Sequence, residues 1–164
     1  MSHDDLIKIA QRWLFSYHRC GVVITDMTSG SPETPDAIGW RAGLSWLVEC
    51  KASRADFFAD RKKHFRVRSE NAMGAYRYFM CPSEMLQISE IPSGWGLLWA
   101  RPNSVTVMID APTVAARSCR YEIDILTSAL RRMVLTEKVQ GVACRVYQVD
   151  GSGDPRATIA VSAP

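Results

Sequence analysis

The 164-residue chain has no paired set of cysteines, no long apolar run and no basic leader, and each lack closes off a class of protein. Its five cysteines (Cys20, Cys50, Cys81, Cys119, Cys144) are odd in number, widely spaced and without a C-x-x-C. That pattern fits neither a disulfide framework nor a zinc knuckle. No apolar stretch nears the roughly 20 residues that cross a bilayer. The opening Met1-Ser2-His3-Asp4-Asp5 is acidic and lacks the basic and apolar segments of a secretory signal. A soluble, cytoplasmic protein is the expectation. Internal repeats and low-complexity stretches are also missing, as are G-x-S-x-G, H-E-x-x-H and G-x-x-x-x-G-K-[ST]. Ordinary esterase, zincin and P-loop chemistries therefore have no foothold.

What is present is globular. Apolar residues make up 47% and charged residues 23%, which excludes wholesale disorder. The length suits one domain with a real core. Net charge is only +3, but it is unevenly placed. Between Lys51 and Arg68 stand seven basic and two acidic residues, while the rest of the chain holds thirteen basic and fifteen acidic. One short segment carries the whole positive excess, as a phosphate-binding surface would. A solvated helix face without a partner has the same composition.

Hydrophobic spacing gives a mixed order of elements. Leu6, Ile9, Ala10, Trp13, Leu14 and Tyr17 recur at helical spacing from Asp4 to Arg19, with Ser2 and Asp5 placed as a capping box. Residues 21–25 form a β-branched strand. After a Ser/Gly/Pro-rich stretch, residues 36–41 and 44–51 read as two strands of a hairpin turning at Ala42-Gly43. Ser53 caps a helix from Arg54 through Phe65. Strands at 75–81, 95–100 and 105–109 follow, with Pro82 ending the first and a short helix at 83–88 after it. Tyr121 to Leu135 is a last amphipathic helix. A mixed sheet with helices on both faces is predicted.

Within that order three residues converge. Asp36 begins one hairpin strand, and Glu49 and Lys51 lie near the end of the next. Residues two apart on a strand share a face, so Glu49 and Lys51 project together and Cys50 points away. Asp36 and Glu49 lie at similar distances from the turn and are predicted neighbours across the hairpin. Two facing carboxylates repel unless a cation lies between them, and Mg²⁺ is held in this way. A bound divalent ion acidifies water and polarises a phosphodiester, and a nearby lysine stabilises the charge that develops. The basic segment follows directly.

Pro35-Asp36, followed by Glu49-Cys50-Lys51, resembles the signature of the PD-(D/E)XK nuclease superfamily. The helix-first order resembles its restriction-endonuclease-like αβββαβ core, a mixed central sheet flanked by helices. Ser53-Arg54-Ala55-Asp56-Phe57-Phe58-Ala59-Asp60-Arg61-Lys62 is similar to the S-x-x-D-F-x-x-D-x-K run of the MmcB-like branch, which is linked to DNA repair and also occurs in small phage proteins. Tyr76-Arg77-Tyr78-Phe79 and Gly94-Trp95-Gly96-Leu97-Leu98 continue the likeness. The likeness covers roughly Leu6 to Ala100; a nuclease-like domain is expected over residues 1–140, with 141–164 as a C-terminal tail packed on it or partly disordered.

The resemblance implies a Mg²⁺- or Mn²⁺-dependent deoxyribonuclease, bacterial or phage-encoded. Asp36, Glu49 and the Cys50 carbonyl would bind the metal, and Lys51 would be the catalytic lysine. Arg54, Lys62, Lys63, Arg66, Tyr76 and Tyr78 are the candidate DNA contacts. Asp56 and Asp60, on one helix face, could orient Lys51 or Arg54 or form intrahelical pairs. Asp5 could add a carboxylate to the site or only cap its helix; Glu33 is a similar candidate, and His64 could touch phosphate or stay in solvent. RNA is a substrate that sequence does not separate from DNA. A homodimer fits enzymes of this kind, with no interface legible. The competing expectation is a catalytically silent nucleic-acid-binding or adaptor module of the same fold.

Overall fold

The computed structural model describes residues 1–31, 33–60, 72–114, 117–136, 142–149 and 155–160. Helix α1 (His3–Ser16) starts at a capping box in which the Asp5 amide donates to Ser2 Oγ (3.1 Å) and the Ser2 amide donates to Asp5 Oδ2 (2.8 Å). Its apolar residues fall on one face, so Leu6, Ile9, Ala10, Trp13 and Leu14 are all buried.

Strands β1 (Val22–Thr25), β2 (Ala37–Arg41) and β3 (Leu44–Cys50) form an antiparallel meander. The hairpin turns on Ala42 and Gly43, both at positive φ (49° and 77°), the backbone that matches the twist of a two-residue turn. Helix α2 (Arg54–Asp60) begins where Ser53 Oγ accepts from the Asp56 amide, so Ser53 is its cap. It crosses over to β4 (Tyr76–Pro82), which lies parallel to β3. Strand β5 (Gly96–Arg101) is parallel to β4, and β6 (Ser104–Ile109) returns antiparallel along β5. Helix α3 (Cys119–Thr136) precedes β7 (Val142–Val149) and β8 (Pro155–Ala160).

The sheet order is β6-β5-β4-β3-β2-β1-β7-β8. Its first six members are a mixed α/β sheet, and the order from α1 to β4 is αβββαβ. Two cores lie on opposite faces. One packs α1 against Val23, Ala37, Trp46, Val48, Cys50, Tyr78 and Met80. The other gathers Ile24, Ile38, Leu47, Phe79 and Leu97 with Phe57 of α2 and Ile125 and Ala129 of α3. Strand alternation alone sorts the residues between them.

Some expectations change. The helix expected at 83–88 is replaced by turns and one 3₁₀ turn, Ile88–Glu90. Pro82 closes β4 from inside the strand, since the last position needs no amide there and the Ser83 amide takes the Ala100 carbonyl instead. Residues 61–65 of the expected second helix lie outside the described residues. The segment read as a tail supplies β7, which pairs along β1, and β8, which pairs along β7. At Gly96 a side chain has no room, because an added Cβ would come within 2.4 Å of the Tyr78 ring.

Candidate functional site

The β2–β3 ladder pairs Ala37 with Val48 and Ile38 with Leu47. Asp36 immediately precedes β2, just beyond the Ala37–Val48 pair, and Glu49 follows Val48 on β3. Asp36 is fixed there by its own hairpin, because the Cys50 amide donates to Asp36 Oδ2 at 2.7 Å. Glu49 and Lys51 project together, and Lys51 Nζ lies 3.5 Å from Glu49 Oε2. Each is only 4% exposed. Cys50 points the other way, into the core under α1, and burial drives its thiol pKa well up. The three charged residues of the sequence motif therefore meet in one place.

That place is electrostatically crowded. The Asp36 carboxyl is pushed up to about 6, first by burial and then by the Glu49 carboxylate, against the opposing pull of the Cys50 amide, His3 and Lys51. The Asp26 carboxyl, which follows β1, is also raised, mainly by burial, with His3 pulling it down. His3, from the first turn of α1, brings Nε2 to 3.4 Å from Asp36 Oδ1. Donor atoms of His3, Asp26 and Asp36 lie within 4.8 Å of one another, the one such group among the described residues that could hold a metal ion. Asp36, with 17% of its side chain exposed, is where Glu49 and Lys51 connect to this more open rim.

Other candidates are placed elsewhere. Asp5 stays in its capping box at the surface, and it is His3 on the same turn that approaches Asp36. Glu33 is buried and turned to Arg77, whose Nη2 donates to it at 2.9 Å; it also accepts from the Met73 amide. It braces a loop rather than joining Asp36. Arg54 forms an exposed ion pair with Glu90 and donates to the Met85 carbonyl, so its guanidinium is engaged within the fold. Asp56 is exposed in the first turn of α2, and Asp60 is its last residue.

Tyr76 and Tyr78, the candidate DNA contacts on β4, do not join the Asp36 cluster. Alternation along β4 sends both to the α1 face, across the sheet from Glu49 and Lys51. There Tyr76 stacks on Trp46 at 5.3 Å, and Tyr78 is buried with its ring edge-on to Trp13. Lys62, Lys63, His64 and Arg66 lie outside the described residues.

His3 and Asp26 escape sequence reasoning because neither shares an element or a spacing with the motif. Only the packing of α1 across the end of β1 and β2 brings them in. Glu122 on α3 is a further buried carboxylate without a sequence signal. It accepts from Trp40 Nε1 (3.1 Å), Ser45 Oγ (2.8 Å) and the Gly74 amide (3.0 Å).

The fold thus defines an α/β protein with a mixed sheet between helices and a cluster of two carboxylates and a lysine at the end of its central hairpin. No protein-family model and no curated protein matches the chain. Among solved structures it is similar to a protein of unknown function from Silicibacter pomeroyi, with 22% identity and a TM-score of 0.63. The match covers 86% of this chain and 96% of that one. Identity this low speaks for the fold alone. No helix among the described residues is long and apolar enough to cross a membrane.

Proposed function

We propose that this protein is a metal-dependent nuclease that hydrolyses DNA phosphodiester bonds, with Asp36, Glu49 and Lys51 at its centre. The observation that carries the reading is that Asp36, held by the Cys50 amide at 2.7 Å, lies within the electrostatic reach of both Glu49, which raises its carboxyl, and Lys51. Holding two carboxylates together in a partly dry site is unfavourable for the bare protein, and a divalent cation shared between them reverses the sign. Asp36, Glu49 and the Cys50 carbonyl are the groups that would hold Mg²⁺ or Mn²⁺. Such an ion supplies a water of lowered pKa and a polarised phosphoryl oxygen.

The chain's own residues do the rest. The Cys50 amide fixes one oxygen of Asp36 and leaves Oδ1 facing His3 and the rim. Lys51, whose Nζ lies 3.5 Å from Glu49 Oε2, offers its ammonium to negative charge developing on a phosphate. The basic run from Arg61 to Arg68 follows α2 in sequence and supplies positive charge for the DNA backbone. On this reading the chain works in a bacterial cytoplasm, in DNA repair, recombination or phage DNA processing.

Plasmid and single-stranded DNA incubated with Mg²⁺ or Mn²⁺ test it. Wild type should cut, and Asp36→Ala and Lys51→Ala should each lower the rate by about 100-fold or more. Equal cutting by all three removes the assignment. RNA in the same assay separates the two substrates. The burial of Glu49 and Lys51 favours a second reading, in which they form a structural ion pair in a catalytically silent nucleic-acid-binding module. Binding of DNA that is indifferent to metal, with no nicked product, would establish that alternative.

A further inference from the structure

Helix α3 shows two apolar surfaces, and only one is covered among the described residues. Glu122, Ile125 and Ala129 face the sheet and are buried. On the outward side Ile123 and Leu130 are 60% and 62% exposed, and Met133 is 42% exposed. Ile123, Thr127 and Leu130 follow the four-then-three spacing of a helix-pairing seam. Thr127 belongs in that seam because its hydroxyl donates to the Ile123 carbonyl at 2.7 Å, within its own helix, leaving the methyl group outward.

We infer that α3 is the interface of a homodimer in which two copies of the helix pack antiparallel across a two-fold axis midway between Thr127 and Leu130. The flanks of the seam choose this occupant. On one side lie Asp124 and Arg131, seven residues apart, neither ion-paired among the described residues. On the other lie Leu126, already partly packed on the second core, and the more exposed Met133, also seven apart. An antiparallel pair brings like flanks together, and a single register satisfies all of them. Thr127 meets Leu130 of the partner subunit, Asp124 meets the partner's Arg131, and Leu126 meets the partner's Met133, each contact occurring twice. A parallel pair would set Asp124 and Arg131 against Leu126 and Met133, placing charge on apolar surface. Self-complementary charge is the mark of an isologous interface. At 18 residues the helix offers a seam about 27 Å long.

Sedimentation equilibrium of the full chain from low to high micromolar concentration tests the interface independently of any nuclease activity. Wild type is expected to pass from monomer to dimer, and Leu130→Glu to stay monomeric with unchanged circular dichroism and with the Tm of the wild-type monomer at low concentration. Asp124→Arg alone and Arg131→Asp alone each set like charges together and should weaken the dimer about tenfold or more. An equimolar mixture of those two variants restores both ion pairs and should form heterodimers, and so should the double variant with itself. Overturning results would be a wild type monomeric throughout, a dimer indifferent to Leu130→Glu, or single charge variants that the mixture does not rescue.

Discussion

His18 sits just beyond α1 among rings, stacked on Trp46 at 4.7 Å and edge-on to Trp13 at 4.5 Å. Its buried Nε2 has no hydrogen-bond partner among the described residues. Burial lowers its pKa from 6.5 to about 4, the Arg41 guanidinium adds to the effect, and Asp110 opposes it. Between those two values the unfolded chain binds a proton that the folded chain refuses. Stability should therefore fall as pH drops from about 6.5 to about 4, by about 1–2 kcal/mol once partial exposure is allowed for. Urea titrations across that range check it, and His18→Phe, which keeps the stack, should flatten this part of the profile. At this scale the sequence was legible where neighbours in space are neighbours along a strand. Asp36, Glu49 and Lys51 could be placed together from alternation and hairpin arithmetic alone. His3, Asp26 and Glu122 could not, because each reaches its partners from a different element.

Elements follow local rules closely. Ser2 and Ser53 cap the helices they precede, and Gly43 marks the turn that sets the register of β2 on β3. Ala42 is the weak point of that turn, since a methyl-bearing residue at φ 49° is held in a left-handed backbone it does not favour. Ala42→Asn, which tolerates that region, should raise stability by about 0.5–1 kcal/mol and leave the site unchanged. Thermal denaturation checks the first point, and the metal response of the variant checks the second. The stretch 83–88 is not the expected helix. Leu86, with Met85 partly buried beside it, instead plugs the second core from a turn while Ile88 stays exposed; Leu86 is fully buried, and its carbonyl accepts from Trp99 Nε1 at 3.0 Å. A tertiary role imposed on a short segment overrides its local preference. Helix α3 was visible as amphipathic, but its outward seam emerges only once Ile125 and Ala129 are known to face the sheet.

Across the whole molecule, the motif sits where architecture changes character. Strand β3 is antiparallel to β2 and parallel to β4, so Glu49 and Lys51 stand at the junction of the meander and the crossover half. The mixed sheet was legible from the alternation of hairpin and crossover spacings. The role of the last third was not, because β7 pairs with a strand more than a hundred residues earlier, and no local signal reports such a pairing. Val22, Val23 and Ile24 of β1 have β2 on one side and β7 on the other. A chain ended at residue 141 would leave these three β-branched residues with an open row of amides and carbonyls, a template for strand addition. Such a shortened protein should sediment as large, polydisperse species even when carrying Leu130→Glu. The final hairpin thus serves as a guard against runaway polymerisation, whatever chemistry takes place two strands away.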